Sequence, residues 1–157
     1  MSVFCKYPLI AVLLLITFFS YAGEFSGRVI RVIDGDTIEV LQAYRTVRIR
    51  LQNIDAPEKK QAFGSWSSDR LKMLLAGRMV TVTYSECDRY GRILGRVSAD
   101  GKDVSAYMVS AGAAWVYGRY NTDPTLSSLQ HQAQAARRGL WADSSPVPPW
   151  AWRHQTR

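Results

Sequence analysis

Residues 46–54 alternate between apolar and polar side chains, and this pattern limits the possible fold more than any other feature of the sequence. Two sets of side chains result: Val47, Ile49 and Leu51 on one face, and Arg48, Arg50 and Gln52 on the other. Successive side chains of a β-strand point to opposite faces, so the segment is predicted to be a strand with one buried face. Because Arg50 lies opposite the apolar set, we expect it on the outer surface of the sheet or barrel.

The rest of the chain supplies four further strands and three helices. The strands are predicted at residues 27–33, 38–41, 79–84 and 92–99, and the helices at residues 67–75, 103–111 and 123–139. Turns between apolar runs are predicted at residues 34–36, which read Asp-Gly-Asp, and at residues 88–91. Pro124 suits the first position of the last helix, where a missing N–H is harmless. Together these elements predict an α+β, mainly β fold: an OB-type five-stranded β-barrel with three helices.

Residues 1–22 have the layout of a secretory signal peptide. One charge, Lys6, precedes an apolar run from Leu9 to Phe19, and the small residues Ser20 and Ala22 follow. This layout predicts export and cleavage after Ala22. The apolar run is short for a membrane span of about 20 residues, so an uncleaved anchor is the less favoured alternative. We therefore expect a periplasmic or secreted protein, which contacts a membrane only if residues 1–22 are retained.

The mature chain is expected to fold as one domain without a disulfide. The sequence has two cysteines, Cys5 and Cys87, and cleavage would remove the first. A hydrophobic core must therefore hold the fold in an oxidising compartment. Nothing divides residues 23–143, which we assign to the barrel domain. Residues 144–157 are rich in proline and contain two tryptophans, and they are predicted to be an extended tail able to lie on the domain.

The net charge of the chain indicates what kind of partner it binds. The sequence carries a formal charge of +7 at pH 7, and its pI is about 9.7. A basic domain of this size favours polyanionic partners, either nucleic acid or an anionic membrane surface. No feature of the sequence indicates a stable protein partner.

Four short motifs combine acidic and basic side chains in a way that suits phosphodiester cleavage. They are residues 33–37, which include Asp36; residues 50–58, which include Arg50, Asp55 and Glu58; residues 88–92, which include Arg92; and Gly139-Leu140-Trp141. Carboxylates can hold a hard cation such as calcium, and a carboxylate can also activate a water molecule. Arginine is always charged and pairs bidentately with phosphate, so it can stabilise the charge that builds up during attack.

Each motif by itself has a commoner structural explanation. Residues 34–37 and 88–92 are ordinary hairpin turns, and the spacing of Asp55 and Glu58 is that of a helix-capping box. Arg50 on an exposed strand face is usually just solvated. In an extended chain Arg50 and Asp55 would lie roughly 16 Å apart, so a shared site requires the chain to curl after Ile54. The functional interpretation therefore depends on all four motifs occurring together on one barrel.

In their order and spacing, the four motifs resemble the staphylococcal (micrococcal) nuclease family, also called thermonucleases. The resemblance covers about residues 26–143. It implies an OB-type five-stranded barrel with three helices and one catalytic calcium ion. It also implies hydrolysis of DNA and RNA with little sequence specificity, typically leaving 3′-phosphorylated products.

The resemblance also implies roles for individual residues. Asp36 and Asp55 match the two carboxylate ligands of the metal, and Ala56 falls where the family often has a threonine whose backbone carbonyl binds the ion. Glu58 matches the glutamate proposed to activate the attacking water. Arg50 and Arg92 match the two arginines that bind the phosphate and stabilise the transition state.

Two further residues are candidates for substrate binding. Tyr117 matches, across an alignment gap, a tyrosine that packs on the bound nucleotide, and a core aromatic is an equally good explanation. Arg89 is a candidate for contacting the phosphate backbone without sequence preference, although such residues more often belong to a solvated face.

Two other classes of function compete with the nuclease. One is a noncatalytic nucleic-acid-binding OB module, because barrels of this type bind oligonucleotides without cutting them. The other is a membrane-anchored envelope protein that keeps residues 1–22. Neither explains why Asp36, Asp55 and Glu58 would stand near a polyanion, so the acidic trio favours the enzyme.

Overall fold

The computed structural model describes residues 23–156. Its strands are β1 (Gly23–Val32), β2 (Thr37–Gln42), β3 (Arg45–Leu51), β4 (Ile54–Asp55), β5 (Met79–Cys87), β6 (Ile93–Ala99), β7 (Lys102–Asp103) and β8 (Trp115–Val116). Its α-helices are α1 (Gly64–Leu75), α2 (Val104–Ser110), α3 (Pro124–Ala135) and α4 (Pro149–Gln155), with a 3-10 helix at Gly139–Ala142. The predicted signal peptide lies outside the described residues. No helix among residues 23–156 is both long enough and apolar enough to span a bilayer.

Five strands close into a barrel. In space they follow the order β3, β2, β1, β5, β6, and a parallel pairing between β3 and β6 returns the last strand to the first. That pairing sets Ile49 opposite Ile93 and Arg50 opposite Leu94, while the other four pairings are antiparallel. Closure leaves no free edge between these strands. The predicted OB-type barrel is therefore confirmed.

The core fills the barrel with the apolar face that the alternation predicts. Ile49 and Leu51 are almost completely buried, and Val47 packs against the core from a partly buried position. Leu71 and Leu75 of α1 and Met108 of α2 join the same cluster. The helices therefore cover the barrel by burying apolar stripes, which is the main source of stability in a small domain without a disulfide.

The boundaries of two predicted helices are wrong. Helix α1 begins at Gly64 with Phe63 as its N-cap, and Asp55 lies in β4, so Asp55 and Glu58 do not form a capping box. Helix α3 ends at Ala135, and Arg137 turns into the left-handed region before the 3-10 helix that begins at Gly139. Helix α2, predicted at residues 103–111, spans Val104–Ser110, and Asp103 is its N-cap.

The largest departure from prediction is in residues 144–156, which we call the strap. The segment was predicted to be extended, but residues 149–155 form helix α4, with Pro149 at its start. Aromatic contacts hold the strap against the domain, because Trp150 packs on Trp115 and Tyr117. A small cavity between strap and domain is lined by Val147, Trp152, Pro57 and Phe63. Gln61 Nε2 also donates to the Val147 carbonyl at 2.6 Å.

Candidate active site

Two carboxylates converge at one side of the barrel because a loop and a short strand meet there. Asp36 ends the loop between β1 and β2, and its Oδ2 accepts a hydrogen bond from the Ala56 backbone N–H at 2.7 Å. Gly35 allows this approach, since a Cβ at that position would overlap Ser67 of α1 and the Ala56 side chain. Asp55 lies in β4, where it pairs with Trp115 of β8. The chain therefore curls after Ile54, as a shared site requires.

Arg50 joins these two carboxylates. Its Nη2 lies 3.2 Å from Asp36 Oδ2 and 2.9 Å from Asp55 Oδ1. Its Nη1 donates to the backbone carbonyls of Leu51 and Ile54 at 2.8 and 2.9 Å. The prediction that Arg50 lies on the outer face of the strand is confirmed, but the side chain is not solvated: it is 13% exposed. The curl of residues 51–55 folds back over it.

Glu58 stands at the rim of the same cluster on a loop that is tightly held. Its backbone N–H donates to Gln61 Oε1 at 3.1 Å, and its carbonyl accepts from the Gln61 N–H at 2.8 Å. Gly64 is required where α1 begins, because a Cβ there would overlap the Glu58 carbonyl oxygen. The carboxylate itself remains 42% exposed. Glu58 is thus positioned by its backbone and open to solvent at its side chain, as a group that handles a water molecule needs to be.

Arg153 of the strap completes the cluster, and sequence reasoning missed it. Its Nη2 lies 2.7 Å from Asp55 Oδ2, and its Nη1 lies 2.8 Å from Glu58 Oε1 and 3.3 Å from Asp55 Oδ1. Asp55 is 1% exposed, so its carboxylate is enclosed between two guanidinium groups, those of Arg50 and Arg153. A signal was present in the sequence: Pro149 suits the first position of a helix, which contradicts an extended tail over these residues.

Arg92 and Arg89 lie on the neighbouring hairpin turn. Arg92 Nε pairs with Asp88 Oδ2 at 2.7 Å, and the guanidinium groups of both arginines lie over the ring of Tyr90. Arg50 pairs with Leu94 in the parallel ladder, and Arg92 precedes Leu94 by two residues. Arg92 directly precedes β6, and Asp88 of the turn holds its side chain. The structure does not bring Arg92 into the ion-pair cluster of Arg50.

Tyr117 lies beside β4, where its backbone N–H donates to the Asn53 carbonyl at 2.9 Å. Its ring stacks on Trp150 of the strap, with centroids 5.3 Å apart and planes 14° apart, and it contacts Tyr120 edge-on. Tyr117 is therefore not a core aromatic. It belongs to an aromatic surface that adjoins the carboxylates, and the strap covers part of that surface.

Burial and charge together set the protonation of the cluster. Burial raises the pKa of Asp55, while hydrogen bonds and charge from Arg153 and Arg50 oppose that rise. Hydrogen bonds to Asp55 and Glu58, only partly offset by burial, raise the pKa of Arg153 above its usual range, so this side chain stays charged. Burial, together with the charge of Asp36, raises the pKa of Asp34 to about 6.

The Asp34→Asn variant should be more stable than the parent protein at pH 7 to 8 without metal. The folded-state pKa of Asp34 is raised from 3.8 to about 6, so the folded chain binds the extra proton and its stability falls as pH rises through that window. The amide removes this penalty, of order 1–3 kcal/mol, and its oxygen can still accept the Asp36 N–H. Urea unfolding at pH 3.5 and pH 7.5 would measure it. An equal gain at both pH values would contradict the assigned cause.

The donor groups in this region fit a hard divalent cation. Asp36, Asp55 and the Ala56 backbone offer oxygen donors, which is the ligand type that calcium and magnesium take. Among residues 23–156, no group of three or more His, Cys, Asp or Glu side chains is arranged to hold a metal ion by itself. Three carboxylates, those of Asp36, Asp55 and Glu58, contact two guanidinium groups, and Asp34 adds a fourth carboxyl group beside Asp36. A divalent cation would balance the excess negative charge.

A closed OB barrel that carries buried acids, an arginine between them and a rim glutamate defines a phosphodiesterase-type nuclease site. Comparison with known proteins agrees with this class. The family described as staphylococcal nuclease homologue matches residues 48–143. The chain belongs to this family and is a nuclease-type hydrolase.

Individual relatives support the same assignment. An uncharacterized endonuclease of Escherichia coli is 62% identical over 134 residues, which cover 85% of this chain and 88% of the relative. A micrococcal nuclease of Shigella flexneri is 41% identical over 158 residues, covering 94% and 90% respectively. The staphylococcal-like nuclease CAN1 of Arabidopsis thaliana is 38% identical over 127 residues, covering 81% of this chain and 39% of that protein.

Proposed function

We propose that this protein is an exported, calcium-dependent endonuclease that hydrolyses DNA and RNA with little sequence specificity. The observation that carries the proposal is the contact of a single Arg50 nitrogen with both Asp36 and Asp55, beside a loop that presents Glu58. The names of the E. coli and S. flexneri relatives support the endonuclease part. The oxygen-only donor set supports a hard cation such as calcium.

The roles of the side chains follow from their chemistry. Asp36, Asp55 and the Ala56 carbonyl would hold the ion, which would neutralise phosphate charge and favour attack when bound. Glu58 accepts a proton from the attacking water, whose oxygen forms a bond to phosphorus. The bond from phosphorus to the 5′-oxygen breaks, leaving a 3′-phosphate and a 5′-hydroxyl whose proton comes from solvent. Arg50 and Arg92 donate to the phosphate oxygens as negative charge builds up.

Arg92 is assigned to binding charge and not to donating a proton. The guanidinium group does not lose its proton in proteins, so it is a poor general acid at neutral pH. Arg89 and Tyr117 are assigned to the substrate surface on either side of the cluster, where they would contact the phosphate backbone and a base respectively.

A cleavage assay tests the proposed function. The purified protein should degrade plasmid DNA and single-stranded RNA in calcium, and a chelator should stop it. The 3′ ends should become extendable by a polymerase only after phosphatase treatment. The Asp36→Asn variant should lose cleavage, whereas the Asp100→Asn variant, which changes an exposed carboxylate elsewhere, should keep it. A folded protein that binds DNA without cutting it would instead show the noncatalytic OB module.

Export is proposed from residues 1–22 alone. N-terminal sequencing of the protein recovered from the periplasm or medium should begin at Gly23. A sequence that begins at Met1 would show that the segment is retained as an anchor.

A further inference from the structure

The strap blocks the two groups that the proposed chemistry needs most. Arg153 donates hydrogen bonds to both carboxylate oxygens of Asp55 and to one carboxylate oxygen of Glu58. With Arg50 also on Oδ1, the 1% exposed Asp55 has little room for a hydrated cation. Arg153 Nη1, 2.8 Å from Glu58 Oε1, also occupies a carboxylate oxygen that would otherwise accept a proton from water. A metal-ligand role for Asp55 and a base role for Glu58 both conflict with these contacts.

A second contact of the strap lies where a substrate base would stack. Trp150 lies flat on Tyr117, and it also meets Trp115 edge-on with centroids 5.7 Å apart. Base stacking on an aromatic side chain uses the same ring face that an indole covers here. Helix α4 thus places the guanidinium group of Arg153 on the carboxylates and the indole ring of Trp150 on the aromatic surface. The proposed chemistry would put a metal ion and a substrate base at these two places.

The strap is held by contacts separate from those of the barrel core. The Gln61 side chain binds its backbone, and the apolar cavity at Val147 and Trp152 lies against the loop that carries Glu58. Arg153 itself remains 40% exposed, so water reaches this ion pair. The match to the family ends at residue 143, before the strap begins. Release of the strap would therefore leave the barrel and its matched motifs intact.

We propose that the strap is an autoinhibitory latch: Arg153 and Trp150 close the site in the metal-free protein, and a divalent cation displaces them on binding. This rests on the proposed function. The positive ion and Arg153 compete for the same oxygens of Asp55, so each weakens the binding of the other by the same factor. The strap keeps the carboxylates neutralised until a metal ion replaces Arg153 and a nucleic-acid base replaces Trp150.

Calcium binding by calorimetry, without substrate, tests the latch. The Arg153→Gln variant should bind calcium about tenfold more tightly than the parent, because the closed state no longer lowers the apparent affinity. The Trp150→Ala variant should shift the affinity in the same direction by loosening the strap, although Trp150 itself contacts no carboxylate. Arg45→Gln, which removes a charge from an exposed position, should bind calcium like the parent protein.

Hydrogen exchange gives a second readout that does not depend on cleavage. Amides of residues 150–156 should exchange faster once calcium is added, while those of β1 and β5 should not. Calcium affinity unchanged or weakened in both variants, or unchanged strap exchange, overturns the latch. Variants with unchanged affinity and exchange but lowered kcat would mean that Arg153 positions Asp55 and Glu58. If the parent protein binds calcium and releases the strap but cuts nothing, the latch stands and the proposed function fails.

Discussion

The Glu58→Gln variant should lose about two to four orders of magnitude in turnover while its barrel stays folded. The amide keeps the size of the side chain but accepts no proton from water at neutral pH. Glu58 is 42% exposed, and its loop is held by backbone hydrogen bonds to Gln61, so the substitution removes little packing. Turnover of a DNA substrate at saturating calcium measures the effect, because any change in metal affinity is then removed.

The matched control is Glu24→Gln, which makes the same chemical change at an exposed position of β1. Its turnover should equal that of the parent protein. Circular dichroism and urea unfolding should give the same folded signal for both variants. If Glu58→Gln keeps its turnover within a few fold of the parent, Glu58 does not activate the water, and another group must be sought.

The Arg50→Ala variant should lose both activity and stability. Removing this side chain leaves Asp36 and Asp55, at 8% and 1% exposure, without the charge that joins them. Breaking a buried ion pair on one side costs about 3–5 kcal/mol, so the metal-free unfolding free energy should fall by that order. Turnover should fall about 100- to 1,000-fold, since one donor to the developing charge is lost. Urea unfolding with and without calcium measures the first effect.

Arg48→Ala provides the control within the same strand. Arg48 pairs with Glu39 at 2.9 Å but is 51% exposed, so its loss should change the unfolding free energy by less than about 1 kcal/mol. Calcium should restore part of the stability of Arg50→Ala, because the ion supplies positive charge to the same carboxylates. If the two variants unfold alike, the bridging role assigned to Arg50 is wrong.

The sequence predicted the barrel well because its strands carry strong local patterns. Alternation assigns Ile49 and Leu51 to the core and Arg50 to the opposite face, and the pairing of β2 with β3 agrees. The Asp-Gly turn before β2 and the cap at Asp103 also follow from local chemistry. Register and burial repeat every two residues, so a short stretch of sequence is enough to determine them.

Other features could not be predicted from local patterns. The capping-box interpretation of Asp55 and Glu58 is wrong because β4 pairs with β8, a partner some 60 residues later in the chain. The commoner explanation of Arg50, as a solvated residue on an exposed strand face, is wrong because residues 51–55 fold back over it. In each case the contact comes from a distant or curled segment of the chain. The sequence of a single strand or turn therefore does not predict it.

The sequence by itself determined that this protein is a closed β-barrel of the staphylococcal nuclease family, since the order and spacing of its acids and arginines are local properties. Only the tertiary structure decided how those charges are balanced. It places Arg50 between Asp36 and Asp55, and it brings Arg153 across from a segment 98 residues away in the chain to Asp55. The physical reason is that a buried carboxylate is stable only when a positive charge is paired with it. Tertiary packing, and not local sequence, determines which arginine lies close enough to provide that charge.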